Sequence, residues 1–426
     1  MSSKIGLLIK EDLWVSSKLF HYRITWKLAV QEIDLLIIGS GPAGLSTALH
    51  LLQKDTGWAE RMIVVEKAIH PRPKLCAGAV TRIGLKVLRD LNFQIPLPIP
   101  GVEIEDARLQ YKKRVIHVRG QPAIVIYNRI EFDAYLAQEA RQRGVEIQEG
   151  EAVQYINIGS RGVDVVTTRD KYQAKVVVGA DGSTGITRRL FGKHDSRGRV
   201  ARVLEAVYPA QAAHDQFVER YARLDFTPVQ QDLQGYFWDF PSRVTGEPRF
   251  NRGVYDSRFI REGKKAKLPI IFEAELNNLG EDGKSTEFQG NPIHWFSPGN
   301  RFAMPRLLLV GDAAGVDPLL GEGIGPALVY GKVASEALIA AFRQEDFTFG
   351  NYRTRILRSV VGCNLLIRWC LAWVTYRLKR NSAFMHTLWT VGQLITTLWS
   401  PTIPKYAASS QEPGRKSEDF TKHIVD

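Results

Sequence analysis

Three glycines with the spacing G-x-G-x-x-G follow the first apolar run of the chain. Gly39, Gly41 and Gly44 come directly after residues 35–38, and apolar residues then continue with the spacing of a helix. Such glycines permit a tight turn, let the backbone approach a pyrophosphate, and let the helix pack closely on the strand. The anion would lie on free amides at the positive end of the helix dipole. The pattern predicts a dinucleotide-binding strand–turn–helix unit.

A second apolar run, residues 62–65, ends in Glu66. Glu66 lies about 20 residues beyond the glycines, where such units place the acid that binds a ribose. The alternative is a structural turn with an unrelated surface acid, and the second strand argues against it. The residues expected to contact the dinucleotide here are Gly39, Gly41, Pro42, Ala43, Gly44, Glu66 and Lys67.

Two later apolar runs also end in small residues and an acid. Residues 172–178 lead into Asp181 and Gly182, and residues 307–310 lead into Gly311 and Asp312. An ordinary turn would explain either acid alone, because Asp-Gly pairs are common in turns. The chain has three strands that are each followed by an acid, namely Glu66, Asp181 and Asp312. This recurrence instead favours a single crevice at the carboxyl edge of a parallel sheet.

The segment after Asp312 is rich in glycine, with Gly321, Gly323 and Gly325 at alternate positions. Glycines of this kind let a flat ring lie against the backbone, and a helix that begins near Gly325 would direct free amides toward that ring. A reduced flavin carries negative charge near N1 and O2. We therefore expect Gly323, Ile324 and Gly325 to flank a flavin.

Lys74 and Cys76 lie in a proline-containing loop, residues 70–79, that follows the Glu66 strand. Their position predicts that they face the cofactor crevice. An equally acceptable interpretation is a surface loop in which Cys76 is a small packing residue.

Aromatic residues become dense between residues 200 and 295, and short alternating strands replace helical patterns. In the segment 235–241, alternation places Tyr236, Trp238 and Phe240 on one face of a strand. These side chains would line an apolar pocket or simply belong to a core, and composition alone does not choose between the two.

The chain of 426 residues has a formal net charge of +12, and its basic excess is concentrated near the C-terminus. Residues 347–411 contain no Asp or Glu but several Arg, Lys and Trp residues. This mixture favours peripheral contact with an anionic membrane over nucleic acid. A docked or interfacial helix pair is favoured over a transmembrane helix in residues 381–404. Three scattered cysteines indicate a reducing compartment, and we expect a cytoplasmic protein without a metal site.

Taken together, these motifs resemble the FAD-dependent oxidoreductases of the para-hydroxybenzoate hydroxylase-like fold, and within them the geranylgeranyl reductase group. The wider fold is indicated by residues 34–44, Arg129 with Phe132-Asp133, residues 179–182, and Gly311-Asp312. The reductase group is indicated by Lys74-Leu75-Cys76-Ala77-Gly78, similar to K-x-C-G-G, by residues 236–241, which match Y-x-W-x-F-P, and by residues 321–324, similar to G-E-G-I. The chain departs from the group's pattern at Ala77, Asp239 and Pro326.

The resemblance implies a role for each matched position. FAD would contact Arg129 through its phosphates or ribityl chain, Val153 through adenine, and Asp312 through ribityl or ribose hydroxyls. Cys76, Ala77 and Gly78 would lie at the flavin ring, with Cys76 as the catalytic residue. Tyr236, Trp238 and Phe240 would bind the substrate.

We expect an α/β fold in which a Rossmann-type FAD-binding domain carries an inserted, mostly antiparallel-sheet substrate domain and a C-terminal helical segment. The FAD-binding domain would comprise residues 31–90, 126–199 and 300–345, and the substrate domain residues 91–125 and 200–299. The flanking parts would be an N-terminal extension (1–30), membrane-associated helices (346–405) and a disordered tail (406–426).

The resemblance implies an enzyme that reduces C=C bonds of a prenyl lipid or prenylated small molecule, by hydride transfer from reduced flavin N5. The electron donor would be NADPH or a ferredoxin-type redox protein. The alternatives are a flavin-dependent monooxygenase on an aromatic or isoprenoid substrate, and a membrane-associated electron-transfer flavoprotein. A halogenase is disfavoured, because the chain lacks a W-x-W-x-I-P-type motif.

Overall fold

The computed structural model describes residues 13–17, 20–24, 30–192, 200–284 and 287–398. Within the first 30 residues, β1 (Leu13–Ser17) and β2 (Phe20–Ile24) form an antiparallel hairpin. The predicted tail, residues 406–426, lies outside the described residues.

A largely parallel sheet forms the first layer, and residues 35–38, 62–66 and 176–179 of its central strands are buried. Its order in the described chain is β17-β18-β11-β3-β4-β8, and β10 and β9 extend it from β11 as an antiparallel meander. The strands are β3 (Val30–Ile38), β4 (Met62–Glu66), β8 (Glu146–Glu149), β9 (Val153–Ile158), β10 (Val163–Thr167), β11 (Lys171–Gly179), β17 (Ala303–Met304) and β18 (Leu307–Leu309).

The second sheet is antiparallel except where β13 pairs with β6. Its order in the described chain is β16-β12-β15-β14-β13-β6-β7-β5. The strands are β5 (Ala79–Thr81), β6 (Gly101–Tyr111), β7 (Arg114–Tyr127), β12 (Val200–Pro209), β13 (Tyr221–Asp225), β14 (Gly235–Val244), β15 (Glu247–Asp256) and β16 (Gln289–His294).

The helices complete the two layers. They are α1 (Pro42–Lys54), α2 (Arg82–Asp90), α3 (Arg129–Gln142), α4 (Ile186–Arg189), α5 (Asp215–Val218), α6 (Leu268–Asn278), α7 (Ile324–Gln344), α8 (Tyr352–Arg358), α9 (Val360–Leu378) and α10 (Ser382–Leu398). Short 3₁₀ turns occur at Thr56–Glu60, Thr227–Gln231 and Gly311–Ala313. The predicted fold class is confirmed: a Rossmann-type α/β unit, a mostly antiparallel second sheet and C-terminal helices.

The helices α1 and α7 of the first unit pack at close range. A Cβ atom on Gly331 of α7 would lie 2.5 Å from Ser46 Oγ of α1, and that hydroxyl donates to the Leu328 carbonyl at 2.6 Å. Among the described helices, α7 alone is long and apolar enough to cross a membrane, and 78% of its apolar stretch is buried inside the protein. The helices α8 and α9 meet the same criterion only as a pair bent by 74°.

We expect folding stability to depend on pH through His50, which is buried on α1. Burial lowers the pKa of its imidazole from 6.5 to about 4. Between pH 4 and pH 6.5 the unfolded chain binds a proton at His50 that the folded chain does not bind. The free energy of unfolding therefore has its full value above pH 6.5 and decreases as the pH falls toward 4. A neutral His50→Gln variant should therefore lose about 2 kcal/mol less unfolding free energy than the wild type between pH 7 and pH 5.

Urea unfolding of both proteins at the two pH values measures this difference. Equal losses in the two proteins would show that His50 does not carry the effect.

Candidate functional site

The carboxyl ends of β3, β4, β11 and β18 meet at one edge of the first sheet, because these strands are parallel neighbours. The turn after β3 is possible only with glycine at two positions. Gly39 has a φ of +107°, and a Cβ there would lie 2.5 Å from the Ala180 carbonyl oxygen beyond β11. A Cβ on Gly44 would lie 2.0 Å from the Gly39 oxygen. Pro42 and Ala43 begin α1 between them.

Gly41 differs from its neighbours because its surroundings are open. A Cβ on Gly41 would meet only Arg72 Nη2, at 3.8 Å. Glu66, at the end of β4, is buried and accepts hydrogen bonds from Ser40 N at 3.0 Å and Ser40 Oγ at 3.2 Å. The turn and Glu66 are therefore joined by hydrogen bonds. Lys67, the next residue, is exposed to solvent.

A buried ion-pair cluster lies next to this unit. Arg129, the first residue of α3, donates to both carboxylate oxygens of Asp133, at 2.7 and 2.8 Å, and Arg72 Nη2 lies 3.3 Å from the same carboxylate. Burial would raise the pKa of Asp133, but Arg129 and Arg72 hold it below its ordinary value. Burial would lower the pKa of Arg129, and Asp133 raises it instead. Both charges are thus retained inside the site.

The two later acids have different surroundings. The Asp181 carboxylate accepts hydrogen bonds from the Thr187 amide, at 2.9 Å, and from the Thr187 hydroxyl, so it stabilises the start of α4. Burial raises the pKa of Asp181. Gly182 beside it has a φ of +81° and open space around it. Asp312 lies in the 3₁₀ turn after β18, beside Gly323, whose Cβ would be 3.6 Å from Asp312 Oδ1.

The glycine-rich loop before α7 is fixed from two directions. Tyr255 of β15 packs on Gly321, where a Cβ would lie 2.9 Å from the aromatic ring. Arg368 of α9 reaches back to the loop, with Nη1 at 2.6 Å from Asp317 and 2.5 Å from Glu322. Gly323, Ile324 and Gly325 then form the start of α7, with Gly311 packed against Ala43 nearby.

The Cys76 loop lies between the two sheets. Cys76 is partly buried, Ala77 packs against the core of the second sheet, and Gly78 has a φ of +77° against the Tyr127 carbonyl. Gly78 N donates to Cys76 Sγ at 3.4 Å, and the Cys76 side chain lies near Arg129 of the ion-pair cluster. Cys76 is therefore adjacent to the buried ion-pair cluster rather than on an isolated surface loop.

The aromatic strand β14 has the predicted alternation. Tyr236, Trp238 and Phe240 are buried in one core cluster, whereas Phe237 belongs to another on the opposite face. Asp239 also lies on that opposite face, where Arg252 Nε is 2.8 Å away, so its charge does not enter the aromatic side. The Tyr236 hydroxyl donates to the Leu320 carbonyl of the glycine-rich loop. The aromatic face therefore contacts that loop directly.

A hydrogen-bonded chain joins the aromatic strand to the Cys76 loop. Trp238 Nε1 donates to Asn251 Oδ1 at 2.8 Å, and Asn251 Nδ2 donates to Glu205 Oε1 at 2.8 Å and to the Cys76 carbonyl at 3.4 Å. Sequence reasoning did not select Glu205, Asn251, Arg72 or Arg368. Contacts such as those of Glu205 with Asn251, Arg72 with Asp133 and Arg368 with Asp317 join residues tens of positions apart in the chain.

Val153 lies at the periphery of the predicted site. It begins β9, and the nearby Glu151 amide donates to the Glu66 carbonyl at 2.8 Å. The segment therefore runs beside the end of β4, on the side where the predicted ribose acid lies.

The residues present fit an FAD molecule. The approach to Gly41 is open, Glu66 lies at the adjoining strand end, and the buried Nε of Arg72 has no hydrogen-bond partner among the described residues. A phosphate near Gly41 would lie beside the Arg72 guanidinium, whose Nη2 faces that glycine. Gly323 and Asp312 then lie at the other end, where a ring and its ribityl chain would be held.

The family model described as "FAD binding domain" matches residues 32–328 of this chain. Digeranylgeranylglycerophospholipid reductase 1 of Methanopyrus kandleri is 27% identical over 345 residues, which cover 74% of this chain and 82% of that protein. The match to the family model covers more than half of the chain.

Solved structures share the fold at low identity. A geranylgeranyl bacteriochlorophyll reductase-like protein of Thermoplasma acidophilum has a TM-score of 0.69 at 18% identity, covering 89% of this chain and 94% of that chain. The p-nitrophenol 4-monooxygenase of Pseudomonas putida has a TM-score of 0.60 at 16% identity, covering 87% and 98%. These two similarities show the fold alone.

We expect Gly41→Ala to weaken FAD binding without unfolding the protein. The φ of Gly41 is −74°, and the added methyl would contact only Arg72, so the apoprotein should keep its melting temperature. The methyl would occupy the space through which a pyrophosphate approaches the backbone, so the Kd for FAD should rise about tenfold, equivalent to about 1.4 kcal/mol.

Fluorescence titration of the apoprotein with FAD measures the change. Gly350→Ala is the matched control, because a Cβ at Gly350 meets nothing within 4 Å. An unchanged Kd in Gly41→Ala would place the pyrophosphate elsewhere.

Proposed function

Since the chain belongs to the FAD binding domain family and is an FAD-dependent oxidoreductase similar to the geranylgeranyl reductase group, we propose that it reduces C=C bonds in a prenyl chain. The observation that carries the proposal is the position of the β14 aromatic face. Tyr236 bonds the glycine-rich loop, and Trp238 connects through Asn251 to the Cys76 loop. An apolar chain lying on this face would reach both loops that border the expected ring position.

Bound and reduced, FAD would supply the hydride for this reduction. The protein must hold an apolar chain, exclude water and deliver a proton to the second alkene carbon. Tyr236, Trp238 and Phe240 are each less than 8% exposed, so this face of β14 is shielded from solvent. Such a face would desolvate a prenyl chain and restrict its position.

Cys76 is the proposed proton donor. Its backbone carbonyl is joined to the aromatic strand through Asn251, and its side chain lies near the buried Arg129–Asp133 pair. The S–H bond would break as a C–H bond forms at the alkene, and solvent would return a proton to the thiolate afterwards. Proton delivery at this step is needed because an unactivated alkene accepts hydride poorly. NADPH or a ferredoxin-type protein is the proposed source of electrons.

Anaerobic incubation of the dithionite-reduced enzyme with geranylgeranyl diphosphate tests the proposal. Dithionite removes the need to know the natural donor. Mass spectrometry should show the addition of H₂ for each bond reduced, and Cys76→Ser should slow product formation while leaving FAD bound. An unchanged prenyl mass across diphosphate and glycerophospholipid substrates would count against a reductase.

A parallel aerobic incubation with NADPH distinguishes the monooxygenase alternative. If NADPH and oxygen add an oxygen atom to the prenyl or an aromatic substrate, the enzyme is a monooxygenase. Rapid flavin reduction by a protein donor with no lipid product would indicate an electron-transfer flavoprotein instead.

We further propose that the C-terminal helices rest on an anionic membrane surface from the cytoplasmic side. One face of α9 carries exposed apolar residues at helical spacing, namely Val360, Ile367, Leu371, Val374 and Leu378. The adjoining α10 adds Val391, Leu394 and Ile395. Exposed arginines flank the α9 face, including Arg358 and Arg377, and residues 347–411 contain no acid. An apolar face with a basic border suits an anionic interface.

We expect Ile367→Asp combined with Leu371→Asp to reduce binding to phosphatidylglycerol vesicles several-fold, since both side chains lie on the exposed face of α9. Co-sedimentation measures the bound fraction, and added salt should lower it for the wild type. Ile270→Asp is the matched control, because Ile270 is 56% exposed on α6, outside the C-terminal helices. Equal sedimentation of all three proteins would refute the membrane proposal.

A further inference from the structure

One arginine of the C-terminal helices binds both acids of the glycine-rich loop. The Nη1 atom of Arg368 lies 2.6 Å from Asp317 Oδ2 and 2.5 Å from Glu322 Oε2. The Asp317 side chain is fully buried, and that of Glu322 is 10% exposed. Two carboxylates therefore share one guanidinium nitrogen in a part of the protein that water reaches poorly. Because the loss of one partner leaves a buried charge uncompensated, both acids depend on Arg368.

The second oxygen of each carboxylate fixes a different part of the site. Asp317 Oδ1 accepts a hydrogen bond from the Leu319 amide at 2.7 Å, so it shapes the turn of the glycine-rich loop. Glu322 Oε1 accepts a hydrogen bond from the Thr81 hydroxyl at 2.5 Å, and Thr81 ends β5, the strand that follows the Cys76 loop. One guanidinium therefore links the two loops that border the expected ring position.

A second side chain of α9 supports the same arrangement. The hydroxyl of Tyr376 donates to the Leu319 carbonyl at 2.8 Å, and the Tyr376 side chain is buried. Tyr376 lies about two helical turns beyond Arg368, so both side chains lie on one side of α9. Leu319 is thus held at its N–H by Asp317 and at its C=O by Tyr376. The helix α9 fixes the loop through its backbone and through its carboxylates.

The position of Glu322 makes the charge of the cluster relevant to a bound flavin. A Cβ on Gly325 would lie 2.5 Å from Glu322 Oε1, so this carboxylate packs on the start of α7. We expect the flavin ring at the start of α7, and the reduced ring carries negative charge. With both acids ionised, the cluster has one net negative charge, and without Arg368 it would have two. Since like charges repel, the extra charge would disfavour the reduced ring.

We propose that Arg368 is a positioning residue for the flavin, which fixes the glycine-rich loop and offsets the charge of Asp317 and Glu322 beside the reduced ring. The role goes beyond the proposed function, because it requires bound FAD but does not depend on which substrate receives the hydride. It gives α9 a task inside the site that is separate from any contact of its exposed face with a membrane.

Titration of the full-length apoprotein with FAD tests the proposal without any lipid, and an anaerobic titration of the bound flavin against a reference dye then gives its reduction potential. For Arg368→Met we expect the Kd for oxidised FAD to rise about tenfold, because the loop is released. The Kd for reduced FAD should rise about tenfold more, which corresponds to a potential about 30 mV lower. Arg368→Lys should stay close to the wild type, since one nitrogen makes both contacts and an ammonium group can replace it.

A second substitution separates the effect of charge from that of loop position. Glu322→Gln keeps an oxygen for the Thr81 hydroxyl but removes one negative charge, so its potential should rise. When Glu322→Gln is combined with Arg368→Met, the net charge equals that of the wild type. The potential of this double variant should therefore return to the wild-type value, whereas its Kd for oxidised FAD should remain raised.

Arg108→Met is the matched control. Arg108 on β6 also joins two acids, Asp106 at 2.9 Å and Glu219 at 3.1 Å, and neither acid belongs to the glycine-rich loop. Its Kd for FAD and its potential should equal those of the wild type, and changes as large as those of Arg368→Met would contradict the inference.

A wild-type Kd and potential in Arg368→Met would overturn the inference, and so would a double variant whose potential stays as low as that of Arg368→Met. If Arg368→Met does not fold, an unchanged potential in Glu322→Gln would overturn it instead. A protein that gives the expected FAD measurements but leaves prenyl lipids unchanged would count only against the proposed reduction. The two failures are therefore distinguishable.

Discussion

The whole arrangement depends on the contact between the turn after β3 and the end of β11. The Ala180 amide donates to the Ile38 carbonyl at 2.8 Å, and Gly39 leaves no room for any side chain beside Ala180. This contact brings two strand ends that are separated by about 140 residues of sequence into one crevice. Every later feature of the site, from Glu66 to the glycine-rich loop, is placed relative to it.

The second sheet is attached to this crevice by polar contacts, even though the aromatic face itself is apolar. Tyr236 and Tyr255 each donate to carbonyls of residues 317–320, and Asn251 donates to the Cys76 carbonyl. Hydrogen bonds are directional, so they fix the orientation of the aromatic rings where hydrophobic contact alone would tolerate sliding. The aromatic strand is thereby held in register with the two loops.

The sequence predicted the features whose physical cause is local. A positive φ or a close backbone approach demands glycine at a fixed spacing, so Gly39, Gly44 and Gly321 stand out without a structure. The alternation in β14 likewise follows from the geometry of a strand, and it correctly separated Trp238 from Phe237. The fold class could be predicted because these local signals recur along the chain.

The remainder depends on contacts between distant residues and could not be predicted. An acid after a strand has the same sequence pattern whether it faces a ligand or stabilises the next helix. Asp181, for example, accepts hydrogen bonds from Thr187 at the start of α4. Glu205 and Arg368 lie in segments that resemble an ordinary strand and helix, and only their folded neighbours give them importance.

The C-terminal helices do more than cover the second sheet. Arg368 on α9 is 23% exposed at its side chain and pairs with Asp317 and Glu322, while Thr81 donates to the other oxygen of Glu322 at 2.5 Å. Burial would lower the pKa of Arg368, and the two acids raise it, so the charge persists. Removal of Arg368 would leave two carboxylates close together in a largely buried loop, which is unfavourable. The helix that carries the exposed apolar face is therefore also the helix whose Arg368 binds the glycine-rich loop just before α7.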